Sequence, residues 1–305
     1  MSLFRFKYCI FLLVIFGCVA VWFSHVLISV RYSRRKGKYM MISLCVQRLA
    51  ERRHILRHQC AKKPPDPNFL ENADFTRFIV IEDLKLVFCF IPKISCTTWK
   101  RVLYEAKNNG TKLRGNPHDK KHFSRLDDYL PAERKAILDT YFKAMFVREP
   151  FARLLSAFRN KVEARTIFDA RLQTFATNAT SKEMEKKKFL HFVRYILSFN
   201  HSLPTMNQHW RSYEQICPCE VDYDFIGHFE NLGEEAPHLL RTIGVDHYVT
   251  FPDYHPSRSK PYLLEYFSQL SKEEIFKLGK FYELDFKLFG YDFPGPVKEF
   301  VDKND

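Results

Sequence analysis

Two segments of the chain follow one plan. "VFCFIPKISCTTWKRVL" (87–103) and "FVREPFARLLSAFRNK" (146–161) each begin as an apolar, β-branched and aromatic run, meet a charged break, and continue with helical spacing. A strand that feeds directly into a helix must have its next sheet partner reached by a crossover, so the repeated plan demands a layered α/β domain. The same reading predicts strands over 84–91, 142–147 and 224–229, and helices over 97–107, 131–140, 150–161, 234–243 and 272–286. The expected fold is a central, mainly parallel sheet flanked by helices, without internal repeats. Residues 162–188, lysine-rich around "KEMEKKK", read as a helical insertion or flap.

The breaks carry the chemistry. In the first, Lys93 precedes Ser95, Cys96, Thr97 and Thr98 at the start of the helix. The first N–H groups of a helix lack internal partners and sit at the positive end of its dipole, so this turn suits an anion. The same hydroxyls would equally serve as ordinary helix caps. The nucleotide-triphosphatase loop, Gly-x4-Gly-Lys-Ser/Thr, is absent from the chain. In the second break Arg148 stands at the strand end, Pro150 opens the helix, and Arg153 and Ser156 share a helical face. Arginine there suits a phosphate, although Arg148 and Glu149 would also make a surface pair and Ser156 a packing residue. Two such breaks suggest a ligand with anionic groups at both ends.

Net charge does not point to nucleic acid. Residues 1–63 hold thirteen Lys and Arg against Glu51 alone, so +12 of the net +13 sits there and the remainder is nearly neutral. The apolar run from Tyr8 to Val30 is long enough to cross a bilayer core of ~30 Å as a helix. The expected order is a cytoplasmic tail (1–7), a signal-anchor (8–30), a basic stem and Pro-rich linker (31–68), and a folded domain (69–305). The positive-inside rule taken alone would leave the domain in the cytoplasm, because more Lys and Arg follow the run than precede it. Sequons at Asn109, Asn178 and Asn200, and eight cysteines with no Cys-x-x-Cys pair, fit an oxidising lumen instead. No metal-ligand spacing is evident, and none is expected.

"PKISCTTWKRVL" resembles the 5′-phosphosulfate loop of sulfotransferases, and "REPFARLLSAFRNK" resembles their 3′-phosphate motif. With "NQHW" (207–210), "CPCEVDYDFIGHFENL" (217–232) and "YELDFKLFGYDF" (282–293), the chain is similar over 78–293 to the Golgi carbohydrate sulfotransferases that include the chondroitin and dermatan 4-O-sulfotransferases. The resemblance implies a sulfotransferase fold, P-loop-like, in a type II Golgi membrane protein with a lumenal domain. It implies 3′-phosphoadenosine 5′-phosphosulfate as donor and a glycan acceptor, first of all O4 of N-acetylgalactosamine in chondroitin. Dermatan, terminal N-acetylgalactosamine and glucuronyl glycans are the other acceptors, and a silent glycan- or nucleotide-binding protein is the non-enzymatic alternative. By position, Pro92, Lys93, Ile94, Ser95, Cys96, Thr97 and Thr98 would cradle the phosphosulfate, with Lys93 as its cation. Arg148 and Ser156 would hold the 3′-phosphate within a motif that also includes Glu149, Pro150, Phe151, Ala152, Arg153, Leu154 and Leu155. Ile94-Ser95 and Thr98 depart from the family's usual residues without removing a backbone donor. For the general base, His122 is the first candidate, His209 the second and Glu149 the third; His118, His191 and His228 read as structural or surface residues. Arg101, Lys120, Lys121, Arg159 and Lys161 would line a groove for an acidic polymer, or simply form a solvated face.

Overall fold

A computed structural model of the chain describes residues 43–164, 188–199, 206–253 and 259–302. The apolar run 8–30, most of the lysine-rich insertion, and the sequons at Asn178 and Asn200 lie outside the described residues. Among those described, no helix is long and apolar enough to cross a membrane.

The sheet has five strands: β1 (Phe78–Ile81), β2 (Leu86–Cys89), β3 (Ser124–Arg125), β4 (Phe142–Val147) and β5 (Phe225–His228). Their order is β3-β1-β2-β4-β5. The strands β2, β4 and β5 run parallel, whereas β1 is antiparallel to both β2 and β3. The sheet is therefore mixed rather than mainly parallel. The physical reason is the tight turn at 82–85, closed by Lys85 in the left-handed region (φ 44°), which folds β1 back on β2 as a hairpin.

Ten helices complete the described chain: α1 (43–60), α2 (Phe69–Asn72), α3 (Cys96–Lys107), α4 (Pro131–Thr140), α5 (Pro150–Ala157), α6 (Lys188–Leu197), α7 (Leu232–Thr242), α8 (Ser259–Phe267), α9 (Lys272–Phe281) and α10 (Glu283–Phe289). Helix α5 starts where proline costs nothing, and its N-cap Glu149 accepts from the N–H groups of Phe151 and Ala152. The expected helix 150–161 changes character at Phe158, where a π-helical turn (Phe158–Glu163) begins. The expected helix 272–286 is two helices. Tyr282 breaks it, with its buried hydroxyl donating to the Trp210 carbonyl at 2.6 Å.

Prolines at 64 and 65 suggested a domain beginning at Phe69, but the compact unit begins at Leu49. The part of α1 from Leu49 onward is tied in by charge: Arg52 donates to buried Glu235 at 2.8 Å, Arg53 to Asp224 at 3.0 Å, and Arg57 forks onto Asp222. Two disulfides, Cys60–Cys219 and Cys89–Cys217, fasten the Cys217-Pro-Cys219 turn to the end of α1 and to β2. Arginines read as stem thus belong to the folded unit.

Apolar packing fixes the edge at which the strands end. On one side Trp99 of α3 lies against Phe88, Phe146 and Phe251, with ring centres 4.7–5.1 Å apart. Phe151 and Phe158 anchor α5 and the turn after it to Phe189, Phe192, Phe267 and Phe286. With β2 paired to β4 from Leu86↔Phe142 to Cys89↔Met145, both helix-forming breaks emerge from the same edge. This carboxyl edge is where open α/β sheets hold their ligands.

Candidate active site

At the end of β2 the chain turns through Lys93 (φ 73°) and Ser95 (φ 50°), both in the left-handed region. For residues with a Cβ this costs about 1–2 kcal/mol each, so neighbouring groups must hold the loop. Arg153, 2% exposed, donates to the carbonyls of Pro92 (3.3 Å), Gln208 (3.2 Å) and Arg211 (2.6 Å). Arg148 Nη1 donates to the Lys93 carbonyl at 3.3 Å, and its guanidinium lies 4.3 Å from the centre of the Phe229 ring. The two breaks are brought into direct contact.

Ser95 makes no side-chain cap bond at the start of α3. The hydroxyls are thus not spent on capping, and the first-turn N–H groups of α3 face the break beside Lys93. At α5 the opposite holds: the N–H groups of Phe151 and Ala152 are taken by Glu149, so this helix offers an anion its side chains rather than its N-terminus. Burial pushes the Glu149 carboxyl up to about 7, against the pull of those two N–H groups. Phe151, Leu154 and Leu155 lie in the core and Arg153 braces the loop, which divides the 148–156 motif into a framework and the residues Arg148 and Ser156.

Lys93 Nζ donates to Asn160 Oδ1 at 3.0 Å, and burial lowers its pKa, helped by the charges of Lys161 and Arg148. Asn160 and Lys161 come from the π-helical turn. Lys161 had been a groove candidate; Asn160 was missed.

The histidines sort by geometry. His122 sits against Tyr104, near the far end of α3 from the loop, with Nε2 at 3.0 Å from the Asn116 carbonyl. His118, read as structural or surface, has Nε2 at 3.1 Å from Thr97 Oγ1 and Nδ1 at 3.2 Å from Lys100 Nζ. An ammonium only donates, so Nδ1 accepts and Nε2 carries the hydrogen given to Thr97. Both nitrogens are occupied. His209 differs: its backbone N–H (3.0 Å) and Nδ1 (2.7 Å) both meet Asn207 Oδ1, which fixes the amide orientation and the ring tautomer. Its Nε2 keeps a lone pair. Burial, with the charges of Lys161, Lys93, Arg153 and Arg77, lowers its pKa to about 4. A half-buried neutral histidine with one free acceptor thus lies among the cations of the loop.

Other groove candidates have partners of their own: Arg101 donates to the Leu113 and Gly115 carbonyls at 3.2 Å, and Arg159 lies 4.1 Å from the centre of the Tyr262 ring. Asn109 is exposed, just past the end of α3.

Residues 76–292 match the model of the sulfotransferase family. Carbohydrate sulfotransferase 11 of Rattus norvegicus is 34% identical over 245 residues, covering 74% of this chain and 70% of the relative. Carbohydrate sulfotransferase 10 of Xenopus laevis is 32% identical over 275 residues, covering 80% and 76%. Carbohydrate sulfotransferase 12 of Mus musculus is 31% identical over 288 residues, covering 80% and 68%. No solved structure matches. The matched span contains both helix-forming breaks, Lys93, Arg148 and His209 together, and the chain belongs to the sulfotransferase family, among the carbohydrate sulfotransferases.

Proposed function

We propose that the chain transfers a sulfuryl group from 3′-phosphoadenosine 5′-phosphosulfate to a glycan hydroxyl, and that the acceptor is O4 of N-acetylgalactosamine in chondroitin. The observation that carries the transfer reading is the contact between the two breaks. An uncapped helix start with a half-buried lysine lies one strand from a buried arginine that donates to the lysine's own carbonyl, so both cations serve one loop. The residues fit the donor: Lys93 and the α3 start would hold the phosphosulfate, and Arg148 and Ser156 the 3′-phosphate. The donor supplies the activated sulfuryl group. Lys93 stabilises charge building on the phosphate oxygen that leaves, an effect that is largest in a site closed to water. His209 Nε2 takes the proton of the acceptor hydroxyl, and Asn207 stabilises the imidazolium that forms through Nδ1. His118 orients Thr97. His122, near the other end of α3, has no part in this reading.

The chondroitin reading rests on the resemblance of the motifs to the 4-O-sulfotransferases. A lumenal domain on a type II Golgi anchor at 8–30 is proposed with it, supported by the two disulfides and the exposed sequon at Asn109. The test incubates the full chain with labelled donor and a panel of desulfated glycans, followed by disaccharide analysis. Label on O4 of N-acetylgalactosamine is expected. Label on another glycan or position would replace the acceptor, and donor binding without transfer to any glycan would make the protein a silent binder.

A further inference from the structure

Three cations gather round one ring on the side of the loop away from Arg148. Phe90 follows β2, and from its ring centre Lys100 Nζ lies at 4.1 Å, Arg125 Cζ at 4.9 Å and Arg77 Cζ at 5.4 Å. Lys100 and Arg125 are 3% and 8% exposed, and Arg77 is half-buried. Arg125 Nη1 is buried without a hydrogen-bond partner. Among the described residues none of the three side chains makes an ion pair; Asp128 accepts from the Arg125 backbone N–H at 2.7 Å, and Asp74, Asp127 and Asp128 act on the Arg77 and Arg125 guanidinium groups through charge alone. A ring face offsets part of the cost of burying a cation, but does not satisfy an N–H. Burial, reinforced by mutual repulsion, holds Lys100 down to about 8 and Arg125 to about 10.

Topology gives the cluster its place. Arg77 precedes β1, and its carbonyl accepts from Phe90 N–H at 3.0 Å; Arg125 of β3 pairs with Ile79 of β1. Both therefore lie on the β1–β3 side of β2, whereas Arg148 stands on the β4 side. Between them are Thr97 and His118, joined to Lys100, and His209, which feels the charges of both Lys93 and Arg77. A donor seated between Lys93 and Arg148 occupies one flank of the loop, and in-line transfer needs the acceptor on the other.

We infer that Arg77, Lys100 and Arg125 form a subsite for a uronate carboxylate of the acceptor, adjacent to the sugar whose hydroxyl meets His209. This rests on the transfer reading above and assigns to named residues the recognition of that acceptor's acid group. The carboxylate pairs with the half-buried Arg77 guanidinium, the accessible member of the cluster, while Lys100 and Arg125 add positive charge from behind it. Its binding removes like-charge repulsion already present, so affinity arises from relief as well as new bonds.

The experiment titrates two probes into the full chain saturated with 3′,5′-ADP: a desulfated chondroitin hexasaccharide, and the same hexasaccharide with its carboxylates reduced to alcohols. Carboxyl reduction is expected to weaken binding at least tenfold. Arg77→Gln is expected to weaken the acidic probe about tenfold, leave the reduced probe unchanged, and leave 3′,5′-ADP affinity unchanged. Lys100→Met, matched in volume, gives the same pattern from a buried position. Equal affinity for the two probes, or no binding of either, overturns the subsite. A parallel loss of 3′,5′-ADP affinity in Arg77→Gln overturns it too, by assigning the cluster to the donor. Because the readout is binding, absence of sulfate transfer with a retained carboxylate preference would fail the transferase reading while the subsite stands.

Discussion

In the proposed mechanism Lys93 and His209, the second of which feels the charge of the first, do different work at one loop. Replacing Lys93 by Ala removes a charge positioned for the leaving phosphate, and kcat is expected to fall by about 10²–10³, measured with saturating donor and acceptor. His209→Gln keeps a side chain of similar reach but no base, for an expected loss of about 10²–10⁴. The pH profile separates a base from a structural ring. With a pKa held to about 4 in the free protein, His209 is neutral through the neutral range, so the acid limb of kcat/KM for the donor should lie near pH 4. Donor charge opposes the lysines that depress it, so the limb of kcat should move to higher pH. Both limbs should vanish in His209→Gln; a wild-type profile in that variant would remove His209 from the reaction. Lys93 and Arg148 were legible because each stands at the end of an apolar run in one continuous segment. Arg77, His118 and Asn160 were not, because only sheet pairing, a loop and a π-helical turn bring them to the loop.

Helices α3 and α5 were readable with their strands, since each carries its own start signal, hydroxyls in one and Pro150 in the other. The short strands β1 and β3 were missed: four apolar residues and two mixed ones show no period of their own and become strands by pairing. The end of α1 was misread as stem because basic residues look solvated until Asp222, Asp224 and Glu235 are seen beside them. Its docking leads to a prediction. With Cys89–Cys217 intact, the Cys60–Cys219 bond closes a loop of only about 30 residues, and a double Ser substitution should cost about 3–4 kcal/mol by the chain-entropy relation. Denaturant unfolding would measure it; an unchanged midpoint would mean that α1 is held by its ion pairs alone. In β5, Gly227 faces the Phe146 ring so closely that a Cβ has no room. Gly227→Ala should destabilise by about 1–3 kcal/mol through overpacking.

Across the folded unit, charge is arranged so that stability depends on pH in a definite direction. Burial raises the carboxyls of Glu149 and Asp285 to about 7 each. A raised pKa means that the folded state holds protons the unfolded chain has released. The resulting stability is complete below about pH 4 and lost as pH rises through 7. His209, depressed, acts oppositely, but only below its unfolded value of about 6.5. Between pH 6.5 and 7.5 the carboxyls therefore dominate, and Tm should fall as pH rises; Asp285→Asn should flatten that slope, and an unchanged slope would contradict its buried protonation. Charge also defines the site, where the folded unit gathers cations on both flanks of one loop. The most direct test of that two-ended cradle compares 3′,5′-ADP with 5′-AMP by calorimetry on the full chain. The cradle requires 3′,5′-ADP to bind at least a hundredfold more tightly, and Arg148→Gln to erase most of the difference while 5′-AMP binding persists. Equal affinity for the two nucleotides in the unmodified chain would contradict it.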